Sequence, residues 1–220
     1  MNTMIAILTT ITLLFFITII TGGNSGTETE SDRHVPDSAF GVNPLLIGQS
    51  VPALEALDKD GNRHSITELT SRKPTLIIFY RGGWCPFCSA HLAELAVAEE
   101  EIYNLGYQVL AISPDQPSYL RRSFDEVEMK YTLLSDSSMD IARAFGVAFR
   151  ADAETVAALK QHGMDIEAQS GQDHHQLPVP AVFITDTDGK IRFQYVNPDY
   201  KERISGDILM AALKTFQELP

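Results

Sequence analysis

The chain of 220 residues holds only two cysteines and one tryptophan, and its first 27 positions hold no aspartate, glutamate, lysine or arginine. Two cysteines exclude a small scaffold braced by several disulfides, and they exclude a zinc site built from four thiolates. Basic residues are also scarce. Seventeen Lys and Arg stand against 29 Asp and Glu, for a net charge of −12. A phosphate backbone would be repelled by that balance, so nucleic acid is not expected as a partner. No internal repeat and no low-complexity segment interrupts the body of the chain. What remains, 44% hydrophobic and 21% charged residues, is the composition of a globular protein with one core.

The uncharged start contains an apolar run over residues 4–20, broken only by threonines, followed by the small residues "TGGNSG". The run is longer than most export-signal cores and slightly short of a comfortable span of roughly 20 residues. Residues 1–23 therefore read as an export signal or an N-terminal membrane anchor. Either places the rest outside the cytoplasm, periplasmic or secreted. No cysteine lies near the junction, which excludes lipid attachment there. Residues 24–43, rich in Gly, Ser, Thr, Asp and Glu, read as a flexible linker.

From residue 44 onward strands and helices alternate. "TLIIFY" (75–80) is an unbroken β-favouring run, expected to be buried on both faces. A helix is expected over 90–105, with Glu99, Glu100 and Glu101 largely on its wet side and Gly106 ending it. A strand at 107–113, a helix after Pro117, a short strand "TLLSD" and a helical turn "MDIARAFG" follow. Residues 146–178 interrupt the pattern, with "DAETVAALKQHG" helical and "MDIEAQSGQDHHQLP" an exposed loop. The end reads as a β-hairpin around "TDG" and an amphipathic helix that Asp207 is placed to cap. The expected fold class is α/β: a central mixed sheet, mainly parallel with an antiparallel C-terminal hairpin, flanked by helices.

Both cysteines lie in "FYRGGWCPFCSAHL" (79–92), three positions apart. Pro86 suits the first position of a helix, which puts Cys85 at the helix start and Cys88 one turn inside, on the same face. The helix N-terminus and Arg81 both favour a thiolate. A structural disulfide at this spacing closes almost no loop and stabilises little. Half a zinc site lacks further ligands at suitable spacing, since "DHH" (173–175) stands alone. Redox chemistry at the Cys85/Cys88 dithiol, with neither metal nor cofactor, is the reading that survives.

The motif, set after a buried strand, resembles the W-C-x-x-C site of thioredoxin-fold proteins. "VPAVFITDTDGKI" resembles the segment carrying that fold's cis-proline, and "NPDYKERISGDILMAAL" resembles the C-terminal stretch of peroxiredoxin-like proteins of the AhpC/TSA family. The resemblance runs from about Gly48 to the end and implies a thioredoxin-like fold. In that family the peroxide site reads P-x-x-x-T-x-x-C with a remote arginine. Laid on this chain, the catalytic cysteine falls on Cys88, the threonine on Cys85, the proline on Arg81 and the arginine on Pro180. Three of the four positions depart from the pattern.

The sequence therefore favours an exported thiol–disulfide oxidoreductase in which Cys85 is the exposed nucleophile and Cys88 resolves the mixed disulfide. The resemblance also implies a cis Val179–Pro180 bond, leaving the Val179 backbone free to pair with an extended substrate. The alternative is a thiol peroxidase in which Cys88 attacks hydrogen peroxide or an alkyl hydroperoxide and Cys85 resolves. Substrates are then protein or small-molecule disulfides, or hydroperoxides, with a thioredoxin-like electron donor. A non-enzymatic binding module on the same scaffold is the third reading. Trp84 is either a docking rim or packing for the motif. His91, His174 and His175 read as solvated, and Asp115 as the cap of the helix after Ser113.

Overall fold

The computed structural model describes residues 33–123 and 130–217. The expected signal or anchor, and the linker as far as residue 32, lie outside the described residues. Among the described residues no helix is long and apolar enough to cross a membrane. The described part of the linker stretch is tied to the domain: Arg150 donates its N–H to the Pro36 carbonyl at 2.8 Å. Just beyond it, Leu45 donates to the Phe145 carbonyl at 2.9 Å.

Along the chain come β1 (Glu55–Asp58), β2 (Arg63–Ser65), α1 (Ile66–Arg72), β3 (Thr75–Phe79), α2 (Pro86–Val97), α3 (Glu99–Asn104), β4 (Gln108–Ser113) and α4 (Pro117–Ser123). Then follow β5 (Thr132–Ser135), α5 (Asp140–Ala144), β6 (Ala148–Arg150), α6 (Ala153–Gln161) and α7 (Ile166–Ser170). The chain closes with β7 (Gln176–Pro178), β8 (Ala181–Thr185), β9 (Ile191–Val196) and α8 (Gly206–Gln217).

Seven strands form one mixed sheet in the order β2-β1-β5-β4-β3-β8-β9. Parallel pairing is confined to β3, β4 and β5 at its centre. The flanking pairs are antiparallel, including the hairpin β8–β9 expected from the turn. Every residue of β3 is buried, because alternate side chains enter two different cores. Ile77 and Phe79 join Leu110, Phe145 and Phe183 on one face. Leu76 and Ile78 join Leu92 and Leu95 of α2 and Leu209 and Leu213 of α8 on the other. Both cysteines belong to this second core.

Three expectations on local structure are corrected. The helix expected over 90–105 is two helices, broken at Ala98. There Glu99 turns inward, and its carboxylate accepts the Lys130 N–H at 2.6 Å, so that glutamate is buried and not wet. Ser205, not Asp207, caps α8, accepting the Ile208 N–H at 3.4 Å. The stretch read as an exposed loop within 146–178 contains α7 and β7. Strand β7 pairs with β6 as a separate two-stranded ribbon. Ile166 and Leu177 make a small core there with Ala151, and Trp84 packs against it.

Candidate redox site

The strand that precedes the motif sets its position. After β3 the chain turns sharply at Gly82, with φ at +139°, where a Cβ would come within 2.2 Å of Trp84 Nε1. Only glycine lets the indole lie that close to the backbone. The Gly83 N–H donates to Asp115 Oδ2 at 2.7 Å, and Ser89 Oγ donates to the Gly83 carbonyl at 3.2 Å. These two bonds lock the turn between the end of β4 and the first turn of α2. Asp115 is therefore a brace for the motif and not the cap of α4. Its other oxygen has no hydrogen-bond partner, and burial raises its carboxyl to about 6.

Cys85 is the N-cap of α2 and Pro86 its first residue, so Cys88 sits one turn in, with its N–H donating to the Cys85 carbonyl at 3.0 Å. Both cysteines are free thiols, each only 1% exposed. The expected exposed nucleophile is thus corrected: Cys85 is covered as deeply as Cys88. The two share a proton through a hydrogen bond between their side chains. Cys85 is drawn down to about 6, chiefly by that bond, against burial, with the Cys88 backbone N–H and the Arg81 and Arg203 guanidiniums adding to it. Cys88 is pushed up as the proton donor of the pair, by burial, and by the charge on its neighbour. Such a pair loses its first proton as a unit. Arg203 Nη2 donates to Cys88 Sγ at 3.3 Å and the Arg81 backbone N–H donates to the same sulfur. Both contacts draw the shared negative charge toward Cys88 when Cys85 holds the proton.

Arg203 is a residue of the site that sequence reasoning missed. It arrives from the segment between β9 and α8, 115 positions from Cys88, and no local pattern marks it. The same segment roofs the site. Tyr200 lies over the Arg81 guanidinium at 4.4 Å, with Trp84 on that guanidinium's other contact at 5.2 Å. Phe87 meets the Tyr200 ring edge-on at 5.7 Å. Arg81 is consequently buried, its charge held by two aromatic faces. Phe87 and Tyr200 keep an exposed edge.

His91 was expected in solvent; it is buried on the α2 face beside Cys88. Burial and the Arg203 charge push its imidazole down to about 4, so the ring is neutral. A cavity of about 10 Å³ is lined by His91, Arg203 and Pro180 among others. Arg203 thus enters beside the position on which the family's arginine was laid.

Pro180 and Val179 do not present a substrate edge. The described residues contain no cis peptide bond, so Val179–Pro180 is trans. The Val179 N–H is already committed to the Val147 carbonyl at 2.9 Å. Residues of the 146–178 insertion thus take up the N–H that pairing with an extended substrate would need. His174 and His175 are half-buried and hydrogen-bonded to the protein. The former bonds the Ser137 carbonyl at 2.9 Å, and the latter bonds Glu167 at 2.6 Å.

The geometry describes a buried dithiol under two guanidiniums, and comparison with known proteins assigns the family. The AhpC/TSA family pattern matches residues 47–194. The chain belongs to the AhpC/TSA family. A putative peroxiredoxin, bcp, of Haemophilus influenzae is 35% identical over 106 residues, 48% of this chain and 68% of that protein. Peroxiredoxin Bcp of Escherichia coli is 27% identical over 173 residues, 79% of this chain and 98% of that one. The crystal structure of peroxidoxin BcpB from Mycobacterium tuberculosis superposes with a TM-score of 0.59 at 21% identity, covering 77% of this chain and 96% of that one. Reduced Prx3 of Vibrio vulnificus in complex with H2O2 gives 0.64 at 16%, covering 80% and 99%. The last two establish the thioredoxin-like fold. This AhpC/TSA chain is a thiol-dependent oxidoreductase.

Proposed function

We propose that the protein is a thiol peroxidase in which Cys88 reduces hydrogen peroxide or an alkyl hydroperoxide and Cys85 resolves the product. The observation that carries this reading is the Arg203 guanidinium on Cys88 Sγ at 3.3 Å, in a site where both sulfurs are covered. A partner protein's disulfide cannot reach a sulfur that is 1% exposed without the roof moving. A two-oxygen substrate needs little room. The thiol–disulfide exchange favoured from the sequence therefore gives way to the hydroperoxide reading, which the peroxiredoxin relatives also support.

In the first step the proton shared by the pair passes from Cys88 to Cys85, and the Cys88 thiolate so formed attacks the terminal oxygen of the hydroperoxide as the O–O bond breaks. Sulfur is oxidised to sulfenic acid, and the departing alkoxide or hydroxide takes the Cys85 proton. Arg203, already aimed at the sulfur, stabilises charge as it moves onto oxygen. The Cys85 thiolate then attacks Cys88, the S–O bond breaks, and hydroxide leaves as water after protonation. Two electrons from a thioredoxin-like dithiol donor reopen the disulfide. Export or anchoring through residues 4–20, with the domain periplasmic or secreted, belongs to the same proposal.

Because Trp84 adjoins Cys85 in sequence, its fluorescence reports the chemistry. Mixing the reduced protein with hydrogen peroxide should give a fast signal, and a slower one with a small disulfide. Cys88→Ser should stop peroxide consumption. Cys85→Ser should leave sulfenic acid on Cys88, detectable by dimedone labelling, and its absence there would refute the assignment.

A further inference from the structure

The segment 39–47 covers the sheet face opposite the cysteines. Ala39, Val42 and Leu45 pack into the core that Ile77 and Phe79 enter, whereas both sulfurs lie in the core on the other side. The residues beside them are large, apolar and exposed: Phe40 is 81% exposed, Leu46 61% and Ile47 62%. Apolar side chains scattered singly over a surface need no explanation. Three within the stretch 40–47 do, because a segment that only covered a core would turn polar side chains outward.

A cavity of about 440 Å³ opens on the same segment, lined by Arg33, His34, Gly41, Leu46, Gln49 and Arg143 among others. Among the described residues no Asp or Glu lines it, in a chain whose net charge is −12. Arg143 is ion-paired with Asp140, and Arg33 adds a second guanidinium. Arg33 is also where the described chain starts. Only residues 21–32 separate it from the apolar run of 4–20. Fully extended, that connection reaches about 40 Å. A bilayer holding residues 4–20 therefore tethers the domain at this cavity, and the three exposed apolar side chains follow directly along the chain.

We propose that this face, Phe40, Leu46 and Ile47 beside the Arg33 cavity, rests on an anionic bilayer surface, with the apolar side chains in the acyl boundary and Arg33 on the lipid phosphates. The inference rests on the anchor reading of residues 4–20 and gives it an orientation. The core that holds both sulfurs, and the exposed edges of Phe87 and Tyr200 over them, lie on the far side of the sheet. An electron donor then approaches the dithiol from water while the domain stays on the membrane.

The test uses the full chain with vesicles of about two parts phosphatidylcholine to one part phosphatidylglycerol, with and without bromine on the acyl chains. Flotation first establishes whether the chain is bound. Phe40→Trp and Ile47→Trp put a fluorophore on the face, Val97→Trp puts one at the exposed end of α2 on the cysteine side, and the unsubstituted chain gives the Trp84 baseline. Bromine should quench the added emission of Phe40→Trp and Ile47→Trp by about half or more, and leave Val97→Trp and the baseline unchanged. Should Phe40→Trp not fold, Ile47→Trp carries the same reading. Arg33→Glu should weaken the quenching about twofold; unchanged quenching would overturn an anionic surface as the partner. A chain that floats without quenching at either position keeps its anchor and lacks the contact, which overturns the inference alone. Equal quenching of Val97→Trp means that no one face is held, and overturns it too. A chain that does not float sinks the anchor reading and the inference with it. A cross-linked dimer that Phe40→Ser abolishes, with no quenching, gives the face to a second copy of the chain instead.

Discussion

Replacing Arg203 by methionine removes the guanidinium and keeps much of the side chain's apolar length. The structure sets the scale of the effect. A hydrogen bond to a charged group contributes about 1.5–3 kcal/mol net, and one pH unit corresponds to about 1.4 kcal/mol. The first ionisation of the pair, with Cys85 drawn down to about 6 in the native site, should therefore rise by roughly one to two units. At pH 7 that change alone reduces the thiolate population about fourfold if the shift is roughly 1.5 units. Arg203 should do more in the transition state, where charge moves onto oxygen. Loss of one preorganised donor at such a centre costs on the order of 100-fold or more in rate. The two contributions separate by pH. Peroxide consumption, followed by stopped flow from pH 5 to pH 9, should show the ionisation deficit recovered at high pH and the electrostatic deficit remaining. A variant whose thiolate midpoint does not move, or whose rate returns fully to wild type at pH 9, would refute the reasoning.

Asp115 predicts an unusual pH dependence of stability. Its carboxyl is raised from 3.8 to about 6 in the fold, so between those values the folded state binds more protons than the unfolded chain. Stability should then fall as pH rises from about 4 through 6, by on the order of 3 kcal/mol from this group. Urea denaturation at pH 4.5 and pH 7 should reveal that loss, and Asp115→Asn should flatten it; an unchanged slope would count against a raised carboxyl. Gly82→Ala puts a methyl group 2.2 Å from Trp84 Nε1 and 2.7 Å from Asp115 Oδ1. It should shift Trp84 emission and lower stability by about 1–3 kcal/mol from the backbone conformation alone. Phe183 is fully buried and touches the Phe79 and Phe145 rings at 6.0 and 5.1 Å between centroids. Phe183→Ala should cost about 3–5 kcal/mol in a denaturant melt; a loss under 1 kcal/mol would mean that this aromatic cluster does not hold the sheet face.

Much of the scaffold was legible from short-range pattern. The β-favouring run whose first five residues form β3, the proline that opens α2, and the turn of the β8–β9 hairpin each depend on neighbours within a few positions. The misreadings share the opposite property. Asp115 looked like a helix cap because caps are local, yet its partner Gly83 lies 32 positions away. His91 looked solvated, although its spacing from Cys88, close to that of Leu92 and Leu95 on the same helix face, was a signal that it lies inside. The stretch 164–178 looked like a loop because nothing in it announces a partner for β7, which is supplied by β6. Arg203 lies in the C-terminal stretch that resembles peroxiredoxin-like proteins, yet nothing local ties that one basic residue to a sulfur 115 positions away.

By itself, the order of residues determined that two thiols would stand one helical turn apart at the end of a buried strand. Strand burial and helix capping are settled by interactions along a few consecutive positions, so they can be read along the chain. Tertiary structure alone decided which charges meet those thiols and what can reach them. Coulomb energy and solvent access depend on distance in space, and a guanidinium 115 positions away comes within 3.3 Å of the Cys88 sulfur only once the chain has folded.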